Sequence, residues 1–216
     1  MNTSSFNWLG KPKTDHIYAA CSGGVDSVVL SLALAQTTPI TVAFYHHGNE
    51  IADREEYALR AICRRYGLPL MTTKCRVSKP SEQSNEQFWR ESRYEWFRTL
   101  SGTVVTGHTL DDAVEWYLFS ALHGEGRVID YRHSNVVRPF LLTPKRKIVE
   151  WATEYGIDWF EDPTNANPEF AARNKIRHEL LPIAIQLNPG LYKVVAKKVY
   201  ARYIAQGNTD VSTNQI

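Results

Sequence analysis

Apolar residues in this chain fall in short blocks, separated by stretches in which they recur at helical spacing. Residues 16–21, His-Ile-Tyr-Ala-Ala-Cys, form one block and run into a glycine pair. From Asp26 to Gln36 the pattern predicts an apolar helix, stopped by Thr37-Thr38-Pro39. Residues 40–45, Ile-Thr-Val-Ala-Phe-Tyr, are rich in β-branched and aromatic side chains and predict a buried strand. A charged helix follows over about 51–66, ended by Gly67 and Pro69, then a third strand over about 69–74. An aromatic-rich helix over about 83–100 leads to Thr103-Val104-Val105-Thr106-Gly107, a fourth short strand. Beyond about Pro144 the strand signals fade, and helices are predicted at 144–155, 168–180 and 189–205.

Strands that alternate with helices of this length read as βαβ units. Their short, continuous apolar runs imply burial on both faces of a parallel sheet. The expected fold is therefore α/β: an open, Rossmann-like parallel sheet of about five strands with helices on both faces. It would occupy residues 1–142, followed by a helical extension over 143–205 and a polar, flexible tail over 206–216.

Composition narrows the class without naming a function. With 43% hydrophobic and 22% charged residues, the chain is ordinary soluble globular material. Cys21, Cys63 and Cys75 are widely spaced, odd in number and free of any C-x-x-C pair, so they read as free thiols rather than ligands of zinc or an iron–sulfur cluster. The start of the chain lacks an apolar signal core and no apolar run approaches a membrane span; a cytoplasmic protein with no membrane association is expected. A net charge of +2 is too small to argue for nucleic acid, so any RNA affinity must come from local patches.

The strongest local signal is Ser22-Gly23-Gly24-Val25-Asp26-Ser27, between the first strand and its helix. Adjacent glycines allow a sharp turn and close approach to a ligand. The amides that open the helix lack internal partners, and the helix dipole favours an anion there. The loop is not a Walker loop, because the G-K-[ST] ending is missing, nor a dinucleotide fingerprint. Asp26 would repel phosphate unless a divalent cation lay between them, which points to Mg²⁺. The plain alternative is a tight turn with Asp26 as a helix cap. The position after a buried first strand, at the sheet edge where open α/β folds bind ligands, favours phosphate.

A second cluster, Gly107-His108-Thr109-Leu110-Asp111-Asp112-Ala113-Val114-Glu115, follows the fourth strand and opens a helix near Thr109. His108, Asp112 and Glu115 stand at spacings that let them project to one side. Carboxylates at a helix start are also a common structural choice. What favours function is that both loops leave the carboxyl ends of strands the fold would set side by side.

The phosphate loop resembles that of the N-type ATP pyrophosphatases, which cleave ATP between its α and β phosphates and activate a substrate oxygen as an adenylate. The second cluster resembles the Gly-His-x-x-x-Asp-x-x-Glu motif of the tRNA(Ile)-lysidine synthetases. Further motifs similar to theirs are Tyr45-His46-His47-Gly48, Arg90-Glu91-Ser92-Arg93-Tyr94, Arg138-Pro139-Phe140-Leu141, Asp162-Pro163-Thr164-Asn165 and Arg173-Asn174-Lys175-Ile176-Arg177. Together they cover roughly residues 16–190, far more specific than any one motif.

The resemblance implies an adenine nucleotide alpha hydrolase-like fold and a carbon–nitrogen ligase. Its members adenylate O2 of the wobble cytidine of a CAU-anticodon tRNA(Ile); the lysine ε-amine then attacks C2 and leaves lysidine. By the same resemblance Ser22, Gly23, Gly24, Val25, Asp26 and Ser27, with Tyr45 and Gly107, would bind ATP. Asp26 and Asp112 would serve Mg²⁺, while Asp112 and Glu115 would attract the lysine ammonium. His108 or a carboxylate would take the proton of the attacking amine. Arg173 and Arg177, four apart, would meet tRNA phosphate or the anionic transition state.

The chain departs from that family's pattern in three places. Trp116 stands where a small Thr or Ser is usual, and Gly48-Asn49-Glu50 differs from the usual continuation. The sequence also stops near the end of the catalytic region, a short form without the C-terminal domains that grip tRNA. The tRNA would then be held by the later helices, by a homodimer or by a partner, unless the substrate differs. Other readings are a related tRNA-modifying enzyme with another nucleophile, a small-molecule synthetase, and a non-catalytic RNA-binding relict. Sulfur transfer would need cysteines that pair, which this chain lacks.

Overall fold

The computed structural model describes residues 1–12, 14, 16–161 and 172–208. Its elements in order are β1 (Ile17–Ala20), α1 (Val25–Ala35), β2 (Ile40–His46), α2 (Glu50–Tyr66), β3 (Leu70–Lys74), α3 (Asn85–Thr99), β4 (Thr103–Thr106), α4 (Leu110–Leu122), β5 (Arg132–His133), β6 (Val136–Val137), α5 (Lys145–Glu154), α6 (Ala172–Lys175), α7 (Leu181–Leu187) and α8 (Leu191–Ala205).

The sheet runs β3-β2-β1-β4-β6-β5. Five strands are parallel, and β5 pairs antiparallel with β6 at one edge. The switch in strand order lies between β1 and β4, the place where open α/β sheets form a ligand crevice. Alternate residues along the strands serve two cores. Ile17, Ala19, Val105 and Val137 join a large cluster with α1, α2 and α5, while Tyr18, Ala20, Val104 and Val136 meet Tyr94 and Phe97 of α3. That double burial explains why the strands lack polar alternation.

The β5–β6 hairpin is absent from the sequence expectation, because two-residue strands carry no periodicity. Ser134, at φ 55°, turns it, and the Asn135 amide donates to the Phe97 carbonyl at 2.7 Å. The N-terminal segment also contributes core: Phe6 and Trp8 pack on Phe140, and the Leu9 amide donates to the Pro139 carbonyl at 2.9 Å.

The helix expected to end at 180 instead continues, through a π-helical turn at Ile176–Leu180, into α7. Pro182 offers a reason, since its ring conflicts with a regular bond to the His178 carbonyl and a wider turn relieves it. The residues 162–171 that precede α6, including the Asp162-Pro163-Thr164-Asn165 motif, lie outside the described residues, as do 209–216. Among the described residues no helix is long and apolar enough to cross a membrane.

Candidate active site

The phosphate loop folds back on itself through Ser27. The Ser27 hydroxyl donates to the Gly24 carbonyl at 2.9 Å and accepts from the Ser22 amide at 3.3 Å. Ser27 thus shapes the loop more than it faces a ligand. Gly23 adopts φ +89°, a conformation that L side chains rarely take, and its carbonyl accepts from the Phe160 amide at 2.9 Å. Gly24 caps α1 without a side-chain bond, so the Val25 and Asp26 amides open the helix with no acceptor inside it.

Asp26 lies in the first turn of α1. One carboxylate oxygen, Oδ2, accepts from Lys145 Nζ at 3.0 Å; the other, Oδ1, is buried without a hydrogen-bond partner. Burial pushes the Asp26 carboxyl up to about 6; Lys145 counters this, while Asp112 and Asp111 add to it. A strong acceptor buried without a donor is expensive unless something fills it.

The second loop touches the first through backbone. A Cβ placed on Gly107 would come within 2.9 Å of the Asp26 carbonyl carbon and 3.0 Å of the Ser27 amide nitrogen. Glycine is what lets the β1 and β4 loops meet. Next to it, His108 is partly buried and its Nδ1 pairs with Thr106 Oγ1 at 2.9 Å. Burial, together with Arg138 and Arg173, outweighs the attraction of Asp112 and brings the His108 imidazole down to about 3.

A capping box starts α4. Asp112 Oδ2 accepts from the Thr109 amide at 2.6 Å and the Thr109 hydroxyl at 2.8 Å, while Oδ1 takes Arg173 Nη2. Burial alone would raise the Asp112 carboxyl; Arg173 and the Thr109 bonds overcome it and hold it below its ordinary value. One turn on, Glu115 is 2% exposed and fully occupied. Its Oε1 accepts from Arg177 Nε at 2.6 Å, and its Oε2 from Arg173 Nε at 2.8 Å and Arg177 Nη2 at 3.1 Å. Arg173 and Arg177 thus reach the second loop from α6 and the π-turn, and both converge on Glu115.

Two cavities meet at His108, Asp112 and Arg173. The first, about 430 Å³, is lined by the phosphate loop, Gly107, Tyr45, His47, Trp89 and Arg93. Burial lifts the Tyr45 phenol to about 12 and lowers the His47 imidazole to about 4, and His47 Nδ1 is buried without a partner. The second, about 780 Å³, runs from Asp112 and Glu115 past Trp116 and Phe119 to Arg127 and Arg138.

Among the described residues no cluster of three or more His, Cys, Asp or Glu could hold a metal ion by itself. Mg²⁺ asks for less: one or two carboxylates, with substrate phosphates and water completing its shell. The orphaned Asp26 Oδ1 beside the loop amides fits that demand. Asp112 has both oxygens engaged by Thr109 and Arg173.

Sequence reasoning overlooked three residues here. Lys145, the first residue of α5, comes from far along the chain to neutralise Asp26, and no local motif marks it. Asp111 accepts from the Lys145 amide at 2.6 Å and the Tyr192 hydroxyl at 2.9 Å, tying α4 to α5 and α8. Arg138 was noted only as part of a turn motif; it is 4% exposed and donates to the Asp130 carbonyl at 2.8 Å and the Tyr94 hydroxyl at 3.0 Å.

Known proteins resemble this chain in sequence and in fold. The family model described as PP-loop domain matches residues 2–184. A tRNA(Ile)-lysidine synthase of Bacteroides thetaiotaomicron is 33% identical over 193 residues, 82% of this chain and 45% of that protein. Another from Haemophilus ducreyi is 29% identical over 199 residues, 86% of this chain and 46% of that protein. The chain therefore spans about half the length of these relatives. The fold is also that of a U34-tRNA thiolase from Methanococcus maripaludis, with a TM-score of 0.68 and 16% identity over 91% of this chain and 75% of the thiolase.

Proposed function

The chain belongs to the PP-loop domain family, and from that premise we propose that it modifies tRNA at the expense of ATP. The specific reading is lysidine formation. O2 of the wobble cytidine in a CAU-anticodon tRNA(Ile) attacks the α-phosphorus and pyrophosphate leaves. The lysine ammonium then passes a proton to a carboxylate of the second cavity and thence to water. The neutral ε-amine adds at C2 and loses a second proton by the same route, and AMP departs with the oxygen.

The observation that carries this reading is the contact of the two loops at Gly107, which sets a phosphate cradle and a carboxylate-lined second cavity side by side. A reaction that first forms an adenylate and then admits an amine is served by two adjoining chambers that meet at shared residues, where the two reactants can be brought together. His108, Asp112 and Arg173 are those residues.

Each group then has a task. The amides of the phosphate loop hold the pyrophosphate portion, with Tyr45 and Gly107 on the nucleotide side. Asp26 would hold Mg²⁺ against the phosphates, where the ion would supply charge neutralisation. Glu115 and Asp112 draw the ammonium of lysine into the second cavity, in exchange for part of their contact with Arg173. Arg173 and Arg177 bring positive charge to the developing anion. His108, at about 3, is neutral throughout the physiological range, so it orients groups by hydrogen bonding rather than carrying charge. The helices over 143–205 are the proposed tRNA contact.

The deciding assay combines labelled ATP, Mg²⁺, lysine and unmodified CAU-anticodon tRNA. The expected result is AMP release that requires both tRNA and lysine, with a lysine-sized mass gain on cytidine. Release that needs tRNA but not lysine would transfer the site to another nucleophile. No response to tRNA would reject the reading.

A further inference from the structure

The second cavity has two unlike ends. Its inner end is the Asp112 and Glu115 carboxylates with Arg173; its outer wall is aromatic and cationic, formed by Trp116, Phe119, Arg90 and Arg127. Trp116 is 42% exposed, so it is a surface residue with a flat apolar face open at the cavity.

The rings on this wall are ordered. The Trp116 indole and the Phe119 ring stack with centroids 5.7 Å apart and planes 24° from parallel. Phe119 continues to His123 at 4.4 Å and 32°. Spacings of three and four residues on α4 hold the column together. Trp116 is its cavity end, since His123 does not line the cavity. An indole braced from behind by another ring has already given up much of its rotational freedom, so a flat ligand that lands on it meets little further entropy cost.

A second observation points to a polar ligand at the same wall. Arg138 lines this cavity and is 4% exposed, yet its Nε–H has no acceptor although the other two nitrogens are bonded. Buried guanidinium donors are rarely left unmatched, and an oxygen or ring nitrogen brought by a ligand would complete it. The combination of a flat apolar face, exposed arginines and an unmet donor suits an unpaired nucleotide, whose base stacks and whose phosphates carry charge.

We propose that Trp116, braced by Phe119, is a stacking shelf for the unpaired base next to the one that reacts, with Arg90 and Arg127 meeting the flanking phosphates. Trp116 would then be a specificity residue of this chain, a clamp for the anticodon loop. The inference rests on the reading of the substrate as RNA.

The test uses an RNA hairpin with the CAU loop in which 2-aminopurine, fluorescent until stacked, replaces the base beside the cytidine. Wild-type protein should quench it on binding. Trp116→Ala should abolish the quench and weaken the hairpin at least about 5-fold, the lower range for loss of one stacked base, whereas Trp116→Phe should retain most of both. ATP affinity, read separately, checks that the variants have folded. Tight binding to wild type with no quench, or equal binding and quench in Trp116→Ala, would overturn the shelf and leave the RNA reading standing. A hairpin that fails to bind wild type at all would overturn both.

Discussion

At Asp26 burial pushes the carboxyl up to about 6, and the Lys145 ammonium 3.0 Å away offsets only part of it. The sign of the consequence follows from the two states. An unfolded aspartate ionises near 4 and the folded one only near 6, so the neutral form stabilises the fold at low pH. That contribution is lost as pH rises through 6. In ligand-free protein at pH 7.5 the ionised group costs about 3 kcal/mol. Asp26→Asn should therefore raise stability by about that much at pH 7.5 and by almost nothing at pH 4, while ending AMP formation. Urea unfolding at the two pH values reads the first part; equal midpoints at pH 7.5 would mean that Asp26 is fully hydrated. At Gly107 the argument is steric. Gly107→Ala drives a methyl into backbone atoms at 2.9 to 3.0 Å, which cannot turn aside as a side chain would. A loss of about 1–3 kcal/mol is expected, together with a larger fall in ATP turnover than that loss explains, measured on the folded fraction.

At the scale of elements, the cluster that joins α4 to α6 and the π-turn is a buried carboxylate satisfied by two guanidiniums. Removing the Glu115 charge costs about 1.5–3 kcal/mol, the range for hydrogen bonds to a charged group, since Arg173 and Arg177 are 44% and 29% exposed and partly reach water. Glu115→Gln should show a loss of that order in denaturant unfolding. A change under 1 kcal/mol would mean that the arginines find water when released. Strands β1 to β4 were legible in the sequence as continuous apolar runs and the helices between them by their period, and the cap of α4 was legible at Thr109. The β5–β6 hairpin was not, since strands of two residues have no pattern. Neither was the role of Phe6, Trp8 and Leu9, whose partners lie more than a hundred residues away. Both loops could be read in place, for glycine pairs and capping residues act locally. Lys145 and Arg138 could not, because only folding brings them to Asp26 and Tyr94. The sequence also left open what Arg173 and Arg177 face. A cationic pair on a helix reads equally as a phosphate site or as partners for a carboxylate elsewhere, and here Glu115 is that carboxylate.

For the whole molecule, the net charge of +2 supplies no general attraction for RNA. Discrimination must come from the lining of the two cavities and the helices beside them. The ATP side has its own global readout. A ligand that binds only the folded state at a hundred times its Kd adds about 2.7 kcal/mol, which for a chain of this length is about 5–10 °C in melting temperature. Mg²⁺ with ATP should produce a shift of that order, and chelating the metal should remove most of it. In Asp26→Asn the shift should no longer depend on Mg²⁺. A shift that ignores the metal in wild type would show that the loop amides alone hold the phosphates.

The contact at Gly107 bears on how such a protein can change over time. The spacing of the two loops is set by main chain against main chain, with no side chain at Gly107. Residues that line either cavity can therefore be exchanged without altering how the two loops meet. Substrate preference and loop geometry become separately inheritable, and the glycine is what keeps them apart.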